Sequence, residues 1–194
     1  MRYTHAELYA GIGGMFATSR FILKPLYEYT PDMLTTFFNR NNRDYMINFL
    51  EWPEDLHIDP SFARNVLQSH IYKTCYEQEE MQFGVASHEC DEIIGEASIH
   101  QDLANNLQFS IYVAPDWRGN NVAKETMSAM FLQVARLPHV HTIYAEVQPY
   151  NAASQKLMNA IGMDYKGLFE SKVGHYQGCY HYLYARSLDQ AKFS

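Results

Sequence analysis

Three cysteines in 194 residues, Cys75, Cys90 and Cys179, are odd in number and lack any Cys-x-x-Cys spacing. A disulfide scaffold and a zinc ribbon are therefore not expected, and a reducing cytoplasm is the simpler setting. No run of about 18 apolar residues exists, so no membrane span is expected. Charge is sparse at 19% of residues, and 22 acidic against 15 basic side chains leave a formal net charge of −7. That balance argues against affinity for nucleic acid through a broad basic face and weakly favours cationic ligands. The Gly11, Gly13 and Gly14 cluster follows nothing strand-like and precedes no Gly-Lys-Ser/Thr, so it reads as loop punctuation, not a phosphate loop. Tyr3, His5, Glu7 and Tyr9 interrupt any signal-peptide-like apolar stretch. Residues 1–20 are read as an extension, 21–187 as one domain and 188–194 as a tail. With 47% hydrophobic residues the domain can bury a sizeable core.

What is present alternates between strand and helix signals. Residues 21–29, rich in aromatic and branched side chains, read as a strand. Thr30-Pro31-Asp32 supplies an N-cap, a proline at the first helical position and an acid in the first turn. Met33, Leu34, Phe37 and Phe38 open a helical stripe that continues at Tyr45, Met46, Phe49 and Leu50, with a break around residues 40–43. Asp59-Pro60 repeats the start signal ahead of Phe62, Val66, Leu67, His70 and Ile71, where His70 is read as a packed core residue. Strands are expected near 81–87 and 92–99, joined by a solvated turn at His88, Glu89, Cys90 and Asp91. Strand 107–113, helix 121–136 and strand 142–148 make a parallel crossover unit. Helix 151–161, stopped by Gly162, and two antiparallel strands at about 163–173 and 179–186 close the chain. The class is α/β, or α+β, with a mixed and mostly antiparallel sheet of about seven strands and about four helices.

The sharpest local signal is VAPDWRGNNVAKE at 113–125, where a strand ends in a short turn and a helix begins on small polar residues. First-turn amides of a helix have no intrahelical acceptor and carry partial positive charge, which suits a phosphate or pyrophosphate. A plain tight turn is the competing reading. His139 and His141 share a strand face but lack a third convergent ligand, so no metal is expected.

The same segment resembles the acetyl-CoA-binding motif of the GNAT family of N-acetyltransferases, Arg/Gln-x-x-Gly-x-Gly/Ala, which falls here on Arg118, Gly119, Asn120, Asn121, Val122 and Ala123. Asn121 stands at the usual glycine. Asn151-Ala-Ala-Ser154, followed by Leu157 and Ile161-Gly162-Met163, is similar to the family's Asn-x-x-Ser/Ala helix. LKPL at 23–26 and YHYLYAR at 180–186 resemble the branch of ribosomal-protein alanine N-acetyltransferases.

This resemblance implies a splayed pair formed by strands 107–113 and 142–148. Acetyl-CoA would bind along Ile111 and Val113, on Arg118 to Ala123, and beside Asn151 and Ser154. It also implies an amine acceptor, either a protein or peptide N-terminus or a small amine such as a polyamine or aminoglycoside. A non-catalytic acyl-CoA-binding module is the remaining alternative. Glu146 is the leading candidate base, with Glu96 and His100 behind it. The family's helix tyrosine is Met158 here, so Ser154 and Tyr150 are the candidate hydroxyl donors to the thiolate. Tyr176, Tyr180, Tyr182 and Tyr184 either line the cleft or pack. A monomer or homodimer is expected.

Overall fold

Alternating buried side chains from residue 21 onward commit the first half of the chain to a meander, and the later strand–helix–strand unit extends the same sheet. The computed structural model describes residues 14–41, 56–72, 80–90, 92–102, 106–137, 140–171 and 178–188. Within them lie eight strands: β1 Phe16–Ala17, β2 Phe21–Pro25, β3 Glu80–Ser87, β4 Ile93–Gln101, β5 Leu107–Val113, β6 Thr142–Val147, β7 Asp164–Glu170 and β8 Tyr180–Ser187. Four α-helices accompany them: α1 Pro31–Arg40, α2 Pro60–Tyr72, α3 Val122–Val134 and α4 Ala152–Ala160. The strands form one sheet in the order β1-β2-β3-β4-β5-β6-β8-β7. Every neighbouring pair is antiparallel except β5 and β6. No described helix is long and apolar enough to cross a membrane.

The seven expected strands are present, and an eighth, β1, lies in the stretch read as an extension. Its Phe16 is buried and meets Phe83 edge to face with ring centroids 5.7 Å apart. The strand expected at 21–29 stops at Pro25, where a 3-10 turn over Leu26–Glu28 drops Leu26 and Tyr29 into the core. Thr30 caps α1 by accepting from the Met33 amide, with Pro31 as the first helical residue. Asp59 does the same for α2, its Oδ1 accepting from the Phe62 amide at 2.8 Å. The stripe at Tyr45, Met46, Phe49 and Leu50 lies outside the described residues. So do Gly11, Gly13, Cys75, Asp91, His139, His175 and Tyr176, and the side chain of His70.

Two cores sandwich the sheet. On one face Leu107, Phe109, Ile143, Ala145 and Val147 join Met127, Met130, Phe131 and Val134 of α3, with Phe109 against Phe131 at 5.0 Å. On the other, α1 and α2 close over Leu26, Tyr29, Ile93 and Ala114 through Leu34, Phe37, Phe38, Ala63 and Leu67. Tyr29 fastens the two layers, because its hydroxyl donates to the Gly84 carbonyl at 3.1 Å while its ring lies where a side chain on Gly84 would be. A Cβ at Gly84 would come within 2.3 Å of that buried ring. Gly84→Ala is therefore expected to destabilise the protein by about 1–3 kcal/mol through overpacking. Urea unfolding measures this directly, and an unchanged midpoint would show that the ring can move aside.

Candidate active site

The parallel pair β5–β6 is paired at only two register positions, Leu107 with Ile143 and Gln108 with Tyr144. Beyond them β5 stays with β4 along its whole length and β6 stays with β8, so the two strands diverge. Backbone alternation says what faces the opening. The Ala114 amide donates to the Ile94 carbonyl at 2.9 Å, which directs the backbone groups of Tyr112, Ser110 and Gln108 toward β4. Those of Ile111 and Val113 consequently face the gap. On the far arm the Leu188 amide donates to the His141 carbonyl, so Glu146 likewise turns its backbone to the gap.

A cavity of about 350 Å³ fills this divergence. Ile111, Glu146, Asn151 and Ser154 line it, and so do Glu96, Gln148, Met158 and His181, whereas Val113 and residues 118–123 are not among its lining. Asn151 caps α4, its Oδ1 accepting from the Ser154 amide at 3.0 Å, which sets the first turn of that helix against the opening. Tyr150 is 76% exposed and does not line the cavity, so it is not brought together with the others. Of the C-terminal tyrosines, Tyr184 is buried and Tyr182 packs on the core, both against Tyr165, while Tyr180 is exposed. The packing reading therefore applies to Tyr182 and Tyr184. Strand alternation puts His181 on the opposite face of β8 and into the cavity wall.

The turn after β5 has the conformation that its sequence demands. Gly119 has φ +80° and Asn121 φ 61°, the only positive φ among the described non-glycine residues. Asn121 is the N-cap of α3, in the left-handed region and with no side-chain hydrogen bond to the helix. The departure from glycine is thus accommodated by the residue best able to take that conformation. Gly119, Asn120 and Asn121 are exposed, Val122 is buried and Ala123 is half-buried. Arg118 folds back on its own strand, Nε donating to the Val113 carbonyl at 3.0 Å, with its guanidinium 5.6 Å from the Tyr112 ring centroid. Tyr112 in turn donates to Asn41, whose amide donates to the Phe37 carbonyl. The end of α1 is thereby tied to β5, and Phe37 becomes a wall of the cavity.

Two carboxylates face this space in different surroundings. Burial pushes Glu96 up to about 7, with the charge of Glu80 acting in the same direction. Glu146 is the more exposed, and burial raises it while His181 and His100 counteract. Burial also raises Tyr144, to about 12, aided by Asp102 and Glu146. Gln148 carries a buried Oε1 without a hydrogen-bond partner. Sequence reasoning missed Gln148 and His181. Alternation along 180–186, which sets His181 opposite Tyr182 and Tyr184, is the signal in the sequence for the histidine. Among the described residues no group of three His, Cys, Asp or Glu side chains converges as a metal site, and Cys90 and Cys179 are free.

The family model described as Acetyltransferase (GNAT) domain matches residues 20–164. No curated protein matches the sequence. Among solved structures, a ribosomal L7/L12 alpha-N-protein acetyltransferase, RimL, in complex with coenzyme A superposes with a TM-score of 0.73 at 13% identity, over 91% of this chain and 99% of that one. A ribosomal-protein-S5-alanine acetyltransferase from Vibrio fischeri gives 0.71 at 16%, over 90% and 97%. The microcin C7 self-immunity acetyltransferase MccE, in complex with acetyl-CoA and AMP, gives 0.71 at 14%, over 88% and 93%. At these identities the likeness is one of fold.

The raised Glu96 has a thermodynamic consequence. Its folded-state pKa of about 7 lies above the ordinary 4.5, so the folded protein holds a proton there that the unfolded chain has released. Its favourable contribution is complete below pH 4.5 and is lost as pH rises through about 7. Glu96→Gln should remove this dependence, so that wild type loses on the order of 3 kcal/mol relative to the variant across that window. Parallel pH-dependent unfolding curves for the two proteins would contradict a buried Glu96 carboxyl.

Proposed function

The chain belongs to the GNAT family of N-acetyltransferases, and we propose that it transfers the acetyl group of acetyl-CoA to the free amine of a protein or peptide N-terminus. The observation carrying this reading is the gap itself, with the backbone of Ile111 turned into it, and the connection after β5 leads to a helix start with no side-chain cap. These features fit the cosubstrate. The exposed turn at Gly119–Asn121 and the first-turn amides of α3 would hold the pyrophosphate. The Ile111 backbone would align the pantetheine arm as an added strand does, and the orphaned Oε1 of Gln148 would accept from a donor in the cleft. Acetyl-CoA supplies the activated acyl group, and everything else falls to residues of this chain.

Four tasks remain, and each has a residue. Ile111 N–H, preset in a partly dry gap, donates to the carbonyl oxygen as negative charge develops on it. Glu96 takes the proton from the attacking amine, because a carboxyl near 7 is well matched to that transfer at neutral pH. Glu146, at the more exposed position, attracts the cationic form of the amine before deprotonation. Glu146 is thus an acceptor-binding residue in this assignment and Glu96 the base. Ser154, on the first turn of α4, is the hydroxyl beside the departing thiolate, since Tyr150 points away. The N-terminal acceptor is supported by likeness to two enzymes whose names specify ribosomal-protein acetylation. The family assignment spans most of the 21–187 domain, and the free cysteines suit a reducing cytoplasm.

Thiol release from acetyl-CoA, followed with free N-terminal peptides, N-terminally blocked copies and small amines, tests this reading. Release is expected with free peptides alone, and release confined to polyamines or aminoglycosides would overturn the peptide assignment. Within that assay Glu96→Gln should lower kcat/KM at pH 7 by about 10²–10⁴-fold and abolish the rise in rate through that pH. Glu146→Gln should act mainly on acceptor KM. A Glu96→Gln enzyme with wild-type rate and pH profile would remove Glu96 from the chemistry.

A further inference from the structure

Away from the cavity, one cluster of polar contacts joins the β1–β2 turn to the start of α3 across more than a hundred residues of sequence. Glu125 is its centre. Its Oε1 accepts from the hydroxyls of Thr18 and Ser19, the former at 2.5 Å and the latter at 3.0 Å, and from the Arg20 amide at 3.2 Å. Its Oε2 accepts from Arg20 Nε at 2.9 Å and Nη2 at 2.7 Å. The Arg20 Nη2 group also donates to the carbonyl of Asn120 at 3.0 Å. The main chain completes the circuit, because the Glu125 amide donates to the Asn121 carbonyl at 2.9 Å. Burial acts to raise the Glu125 carboxyl, but the bonds from Thr18, Arg20 and Ser19 outweigh it and hold it down at about 2.

The circuit encloses the one strained residue of the turn. Asn121 is left-handed and receives no bond from its own side chain to the helix. A non-glycine residue keeps such a conformation only when its surroundings over-determine it. Here the carbonyl before Asn121 is held by Arg20, and its own carbonyl is held by the residue whose carboxylate Arg20 grips. An Arg20 side chain about half exposed fills no cavity in the core, so its two-ended contact is positional in character.

We infer that Arg20 and Glu125 are positioning residues for cofactor binding: they latch the 118–123 turn in the left-handed conformation that points its amides outward. The latch stabilises the shape that Asn121 by itself disfavours, as a glycine there would not require. This inference rests on the reading of that turn as the acetyl-CoA pyrophosphate site, and the test separates the two.

The experiment compares Arg20→Ala, Arg20→Lys and Glu125→Gln with wild type, by calorimetric acetyl-CoA binding and by steady-state kinetics. Arg20→Ala should weaken acetyl-CoA binding and raise its KM by at least tenfold, with kcat within about twofold of wild type. Arg20→Lys, which keeps one charged donor, should recover part of the loss. The decisive arm adds Asn121→Gly to Arg20→Ala: glycine takes the left-handed conformation unaided, so the affinity of the double variant should match that of the Asn121→Gly single variant measured beside it. Wild-type affinity in Arg20→Ala, or no rescue by glycine, overturns the latch. Hydrogen exchange of amides 119–123 in unliganded protein provides a readout independent of the cofactor, faster in Arg20→Ala and slowed again by Asn121→Gly. If wild type binds no acetyl-CoA, the pyrophosphate reading fails, and unchanged exchange in Arg20→Ala would then overturn the latch by itself. A circular dichroism spectrum and melting temperature close to wild type identify variants that fold.

Discussion

Backbone groups inside a sheet must be satisfied, and the divergence of β5 from β6 is the place where this fold leaves them open. Two paired positions, Leu107 with Ile143 and Gln108 with Tyr144, hold the strands together at one end. From there each arm follows its antiparallel neighbour, β4 or β8. The large apolar cluster under α3 keeps the base of the opening closed, through Phe109 against Phe131 and through Ala145 and Val147. Everything at the site depends on this constraint. It frees the Ile111 backbone, gives the cavity its volume and sets the first turn of α4 against it.

The electrostatics follow from the same geometry. Glu96 and Glu146 belong to different arms, β4 through its pairing with β5 and β6 itself, yet both line one cavity. Burial raises both: a neighbouring acid adds to it at Glu96, whereas His181 and His100 counteract it at the more exposed Glu146. Two carboxyls with separated tendencies can divide the work of attracting a cation and removing its proton. In the turn after β5 the fixed charge has the other sign, carried by the first-turn amides of α3 and by Arg118.

Much of this was legible in the sequence, and the reasons are specific. Thr30-Pro31 and Asp59-Pro60 announced helix starts because capping is local chemistry, and the strand–helix–strand unit was visible in its periodicity. Arg118 to Ala123 could be placed because a left-handed turn leaves a residue signature, even with Asn121 at one position. Tertiary packing accounts for the rest. Pro25, with no amide to donate, is a local strand end, but nothing local recruits Phe16 into an eighth strand, which depends on its contact with Phe83 of β3. The exposure of Tyr150 and the inward placement of His181 and Gln148 exist only in the assembled fold. The contacts of Glu125 with Thr18, Ser19 and Arg20 join segments about a hundred residues apart, beyond the reach of any spacing rule.

The central claim is that the gap and the turn beside it together hold acetyl-CoA. Amide hydrogen exchange with and without saturating acetyl-CoA measures this residue by residue. Slowed exchange is expected at Ile111, at Val113 and across residues 119–123, with β7 unchanged. Protection confined to other parts of the sheet, or none at Ile111 while the ligand is bound, would contradict it.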